Sequence, residues 1–79
     1  MVDLKTVQVA IDNYRLISFN YTDREGNPTF RQGEPYEIRH GGNGTDVFVW
    51  DTEKDEIRRF KSMRMNNLTV FEETFLPRF

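Results

Sequence analysis

Cysteine is absent from the 79 residues and histidine occurs once, at His40. Without thiols there is no disulfide to brace the fold, no zinc site of the usual cysteine–histidine kind and no thiol nucleophile. A Ser-His-Asp arrangement would need Ser18 or Ser62 to meet the lone imidazole, so the expectation is a protein that is not an enzyme and carries no cofactor. The run Asp51-x-Glu53-x-Asp55 resembles half of a calcium loop, but Glu56 stands where the loop needs glycine, and no metal site is expected. Gly41 to Gly44 lacks the Lys-Ser/Thr pair of a phosphate loop and is followed by a strand pattern, so it reads as a hairpin turn.

Long apolar runs are also missing. None approaches the ~20 residues needed to cross a bilayer. Met1 to Asp12 has neither the basic start nor the apolar stretch of a secretory signal. These absences point to a cytoplasmic protein with no membrane partner. Three Asn-x-Thr triplets, at Asn20, Asn43 and Asn67, accordingly read as chance rather than as glycan acceptors. An excess of positive charge is lacking too: 11 Lys and Arg face 13 Asp and Glu, a net −2. That balance excludes a domain that coats nucleic acid by bulk attraction.

What is present is aromatic volume and polarised charge. Seven Phe, three Tyr and one Trp supply core material for a single globular domain spanning residues 1–79. A chain of this length buries only about 60% of its unfolded surface, so the core is thin. Asp51, Glu53, Asp55 and Glu56 form an acidic cluster, and Arg58, Arg59, Lys61 and Arg64 follow as a basic one.

Leu4, Val7, Ala10, Ile11 and Tyr14 recur at three- and four-residue spacing, which predicts a helix with one buried face and Asp3 at its N-cap. Ile17, Phe19 and Tyr21 then alternate with polar residues as in a half-buried strand. A second strand is expected from Thr29 to Arg39, bent near Gly33, and ends at the Gly41 to Gly44 turn. Asp46 to Trp50 predicts a central strand and Glu56 to Lys61 a fourth. Arg64 to Asn67 reads as a turn before a fifth strand from Leu68 to Glu73. Phe75 to Phe79 is an apolar tail whose Pro77 favours docking as an irregular segment. The fold class is therefore mainly β with one N-terminal helix, a small five-stranded barrel or curled sheet.

Four pieces of the sequence are more specific. They are Ala10-Ile11 on the helix, Ile17-Ser18-Phe19-Asn20-Tyr21 on the first strand, Arg31-x-x-x-Pro35-Tyr36 on the second, and Arg58-x-Phe60-x-x-x-Arg64-Met65. In this order they resemble the WYL domain, an SH3- or Sm-like barrel common in bacterial transcription regulators. The family's closing pattern is Arg-x-Phe-x-x-x-Arg-Ile, and only its last residue differs here. The resemblance implies a standalone regulatory module whose Arg58 and Arg64, and less directly Arg31, line a groove for nucleic acid or small charged effectors. The naming Trp-Tyr-Leu tripeptide corresponds to Thr45-Asp46-Val47, which puts the Asp46 carboxylate where an aromatic hydroxyl is expected, beside that groove. The helix-turn-helix domain that usually precedes a WYL domain is not among these residues.

Two readings stay open at each arginine. Arg58 lies two residues from Phe60 and shares its strand face, so it either meets an external anion or pairs with Asp46, Asp51 or a C-terminal glutamate. Arg64 either forks onto a phosphate or carboxylate or caps nearby carbonyls. Arg59 and Lys61 fall on the opposite, solvated face. Most aromatics are needed as core, which leaves Tyr36 or Phe30 to stack on a ligand. The partners open at this point are single-stranded nucleic acid or a small anionic effector. A protein or a second copy, met through a strand edge or the tail Phe75-Leu76 and Phe79, is the alternative.

Overall fold

The computed structural model describes residues 1–79. Helix α1 spans Leu4–Asp12, and Asp3 caps it as expected, its carboxylate accepting from the Lys5 amide at 3.0 Å. Val7 and Ala10 are its fully buried residues. The helix stops at Asn13, and Tyr14 takes a left-handed φ of 53°, reversing the chain into the first strand.

Five antiparallel strands follow: β1 (Arg15–Thr22), β2 (Pro28–Gly41), β3 (Gly44–Asp51), β4 (Glu56–Lys61) and β5 (Met65–Thr74). They form one sheet in the order β4-β3-β2-β1-β5. The β2–β3 hairpin closes at Gly41↔Gly44, where Gly44 adopts φ 108°, a conformation that favours glycine.

Strands β1 and β4 are separated by two others in that order, yet their side chains meet. The Phe60 ring lies 5.0 Å from that of Phe19 and 4.9 Å from that of Tyr21, both edge-to-face, and the Tyr21 hydroxyl accepts from the Lys61 amide at 3.1 Å. The sheet therefore curls on itself around a core of Val2, Val7, Ala10, Ile17, Phe19, Val47, Val49, Phe60 and Met65. Burying a side chain of Phe60's size is worth about 1.5–3 kcal/mol, so these few contacts carry much of a thin core. Helix α1 packs on β2, β1 and β5. Strands β4 and β5 are joined by a 3₁₀ turn, Ser62–Arg64, and are not hydrogen-bonded neighbours.

Three expectations shift. The turn before the last strand is that 3₁₀ turn, so β5 starts at Met65, not Leu68, and buries Met65 completely. The irregularity expected near Gly33 is a register shift between Pro35 and Glu37, beginning two residues on. Gly33 serves close approach instead: it pairs with Ile17 on one side and Asp51 on the other, and a Cβ there would lie 2.1 Å from the Trp50 carbonyl oxygen. Strand β3 lies inside the sheet, but β2 is its middle strand. No helix is long and apolar enough to cross a membrane.

Candidate functional site

Strand alternation decides which charged groups can share a surface. On β4, Arg58 and Phe60 point to the curled face; Arg59 and Lys61 alternate with them but, contrary to the expectation of a separate solvated face, also line the same cavity. On β2, Arg31 pairs across to Phe19 and so also points inward. The 3₁₀ turn after β4 swings Arg64 towards the end of β1. Arg31, Arg58 and Arg64 thus converge on one open cavity of about 250 Å³ at the C-terminal end of β1. Tyr21, Asp23, Arg24, Arg59, Phe60 and Lys61 complete its lining. Six of these nine residues are cationic and one is acidic, so a protein of net charge −2 presents a locally positive mouth.

The three inward arginines differ in how far the protein already satisfies them. Arg31 is neutralised: its Nη1 donates to Asp51 Oδ2 at 3.1 Å, its Nε donates to Thr29 Oγ1, and its guanidinium lies 5.5 Å from the Phe60 ring centre. Asp51 is 2% exposed, and its other oxygen accepts the amides of Glu53 and Lys54, so it holds the β3–β4 turn as well. Arg58 has only Glu56, at 3.9 Å, with both side chains well exposed. Such a pair contributes little and yields readily to another anion. Arg64 donates through Nη1 to the carbonyls of Asp23 at 2.8 Å and Thr22 at 3.5 Å. This is the capping geometry, and it anchors the fork without cancelling its charge.

Asp46 borders this arrangement without lining the cavity itself. Its side chain points away from the core that holds Val47, its carboxylate faces Arg59 Nε at 3.8 Å and it pairs across β3–β4 with Lys61, and both of those cations line the mouth. Tyr36 is elsewhere. Half-buried on the outer face, it donates to Glu34 Oε1 at 2.7 Å and packs on Phe75 and Phe79. Burial, first, and then the Glu34 carboxylate that accepts its proton push its phenol above the ordinary value of 10.0. Phe30 is exposed and lies apart from the mouth.

A WYL domain family model matches residues 3–70. The chain belongs to the WYL domain family. It is 30% identical over 70 residues to an uncharacterised HTH-type transcriptional regulator of Bacillus subtilis strain 168, YobV, covering 89% of this chain and 22% of that protein. The chain thus spans about a fifth of that curated relative. Among solved structures it is similar to proteasome accessory factor B/C (PafBC) of Arthrobacter aurescens. The TM-score is 0.83 at 17% identity, over 90% of this chain and 11% of that one, which is a likeness of fold. The WYL assignment agrees with the Arg58-x-Phe60-x-x-x-Arg64-Met65 spacing. In this WYL domain that spacing places one arginine on the strand, one core ring beside it and one arginine on the turn, around a single opening.

Sequence reasoning missed Arg24 at the mouth, because it sits in the turn after β1 and carries no periodic signal. It also missed Arg78, whose role depends on partners more than 40 residues away.

Proposed function

We propose that this WYL domain is a regulatory module in transcription control whose mouth binds an anion, with Arg58 and Arg64 as the contacting groups and Arg31 as a structural support. The observation that carries it is the contrast in charge satisfaction. Asp51 neutralises Arg31, whereas Arg58 and Arg64 retain net charge on the same opening. Two guanidinium forks across a cavity of this size suit the phosphates of single-stranded nucleic acid or of a small phosphorylated effector.

A nucleic-acid ligand predicts strong salt dependence. The test is titration of a short single-stranded DNA and RNA at two salt concentrations, with inorganic pyrophosphate as competitor. Saturable binding that weakens with salt and is lost in Arg58→Gln/Arg64→Gln is expected. Binding insensitive to those substitutions would move the site elsewhere. Direct, saturable binding of pyrophosphate without oligonucleotide binding would assign the mouth to a small effector.

A further inference from the structure

The C-terminal segment after β5 has no regular structure and leaves Leu76 and Phe79 90% and 77% exposed, yet Phe75, Arg78 and Phe79 make defined contacts with the sheet. Its backbone makes two bonds to the rest of the domain: the Phe75 amide to the Tyr14 carbonyl, and the Arg78 amide to the Tyr36 hydroxyl at 3.0 Å. Among its side chains, Phe75 meets Tyr14 and Tyr36 edge-on, and the remaining contacts fall on two consecutive residues. Arg78 grips Glu34 bidentately, Nε to Oε1 at 3.0 Å and Nη2 to Oε2 at 3.1 Å. Its guanidinium also lies 4.5 Å from the Trp50 ring centre. Phe79 packs edge-on against Tyr36 at 5.0 Å and tilts over Trp50 at 6.1 Å.

The receiving side is built from residues of β2 and β3. Glu34 faces Trp50 across the β2–β3 pair, and the register shift after Pro35 brings Tyr36 alongside. Glu34 is 6% exposed, and a carboxylate so buried requires a cation; Arg78 is its ion-pair partner. The carboxylate in turn pushes the Arg78 guanidinium further above its already high value. A bidentate acid between two aromatic surfaces selects arginine over lysine, because only a planar fork can pair and stack at once.

The resident tail fits incompletely. Trp50 Nε1 is buried without an acceptor, a donor that a differently threaded backbone could satisfy. An apolar groove of about 360 Å³, bordered by Phe48, Ile57 and Phe79, continues from the same place.

We propose that Glu34, Tyr36 and Trp50 form a second binding site, a socket for a polypeptide segment carrying an arginine followed by an aromatic residue, which Arg78-Phe79 of the same chain fills as a displaceable plug. The occupant is defined by charge complementarity: the buried carboxylate accepts a guanidinium, and the flanking rings accept a neighbouring ring. The socket lies on the outer face of the sheet and is independent of the cationic mouth. Because the tethered tail competes at an effective concentration in the millimolar range, an external segment binds weakly until the plug is weakened.

Trp50 is the sole tryptophan, so its emission reports the socket without a label. The probe is a synthetic peptide of residues 73–79, titrated into the full chain and into Arg78→Ala. Saturable binding to Arg78→Ala is expected, at least about tenfold tighter in apparent affinity than to the unaltered chain, whose socket is self-occupied. The peptide with its arginine replaced by alanine should not bind, nor should the intact peptide bind Arg78→Ala/Glu34→Gln. No saturable change up to millimolar peptide, or equal binding of the arginine-free peptide, overturns the proposal. Should Arg78→Ala prove unfolded by circular dichroism, the unaltered chain serves, with the Arg78 Nε resonance followed by NMR. Its movement towards the free-arginine position under excess peptide supports displacement, and its constancy overturns it. Co-sedimentation of Arg78→Ala with the unaltered chain, absent for either alone, would support the socket and name a second copy as the supplier of the segment.

Discussion

Replacing Asp51 by asparagine should change stability and anion binding in opposite directions. Asp51 is 2% exposed and Arg31 17%, and one 3.1 Å contact joins them across the floor of the mouth. Asp51→Asn keeps the oxygen that caps the Glu53 and Lys54 amides but removes the negative charge facing Arg31. A hydrogen bond to a charged group contributes about 1.5–3 kcal/mol, and partial solvent access lets Arg31 recover some hydration, so a loss of about 2 kcal/mol is expected. For a domain of this length that lowers the melting midpoint by roughly 8–16 °C. The same change releases a third uncompensated guanidinium beside Arg58 and Arg64. For a single-stranded ligand each neutralised phosphate adds about −0.7 to the slope of log affinity against log salt, so the slope should steepen from about −1.4 to about −2.1. Between 50 and 200 mM salt the affinity should then fall about 18-fold instead of about 7-fold. Urea denaturation measures the first effect, and fluorescence anisotropy at four salt concentrations, well below the new midpoint, measures the second. A variant that is destabilised and has an unchanged or shallower slope would refute the division into one structural and two ligand-facing arginines.

Gly33→Ala should cost at least the 1–3 kcal/mol typical of overpacking, since its Cβ would meet backbone at Trp50 rather than a mobile side chain; a urea midpoint within error of the unaltered chain would contradict this. Phe60→Ala should remove about 3–5 kcal/mol, because its ring joins β4 to β1 through Phe19 and Tyr21, and loss of the cooperative thermal transition is the expected readout. The Tyr36 phenol has a folded-state pKa above 10.0, so its contribution is complete below the unfolded value near pH 10 and is lost as pH rises through the folded one. Unfolding free energy should fall in that alkaline window, and Tyr36→Phe should remove that component of the decline. An identical decline in both proteins would assign it to other groups.

Most of the architecture was legible because local periodicity coincides with burial. The three- and four-residue spacing of Val7 and Ala10 and the alternation of Ile17, Phe19 and Tyr21 are read from neighbours, and the core uses those same side chains. The inward pairing of Arg58 with Phe60 follows from the same period of two. The charge partners were not legible, because they depend on strand register. Arg31 meets Asp51 across 20 residues, and Arg64 meets the Asp23 carbonyl across 41. The partner of Asp46 was not legible for the same reason: its contact with Arg59 is set by the β3–β4 register. The start of β5 was missed since Asn66-Asn67 carries turn chemistry, and Asn67 does adopt φ 54° within the strand. Docking of the tail as an irregular segment was expected from Pro77, but its anchor was not, because Phe75, Leu76 and Phe79 read as the apolar contacts whereas Arg78 is the residue that pairs with Glu34.

The central claim is that Arg58 and Arg64 meet an external anion at the mouth while Arg31 does not. The most direct measurement is NMR of the arginine Nε–H groups during titration with inorganic pyrophosphate and then with a short single-stranded oligonucleotide. The account predicts saturable shifts at Arg58 and Arg64 with either or both ligands. Arg31 should hold its bond to Asp51, and Arg39, paired with Glu37 on the far face, should not move. Uniform small shifts across all arginines, or saturation at Arg39 or Arg78 with Arg58 and Arg64 unmoved, would contradict it.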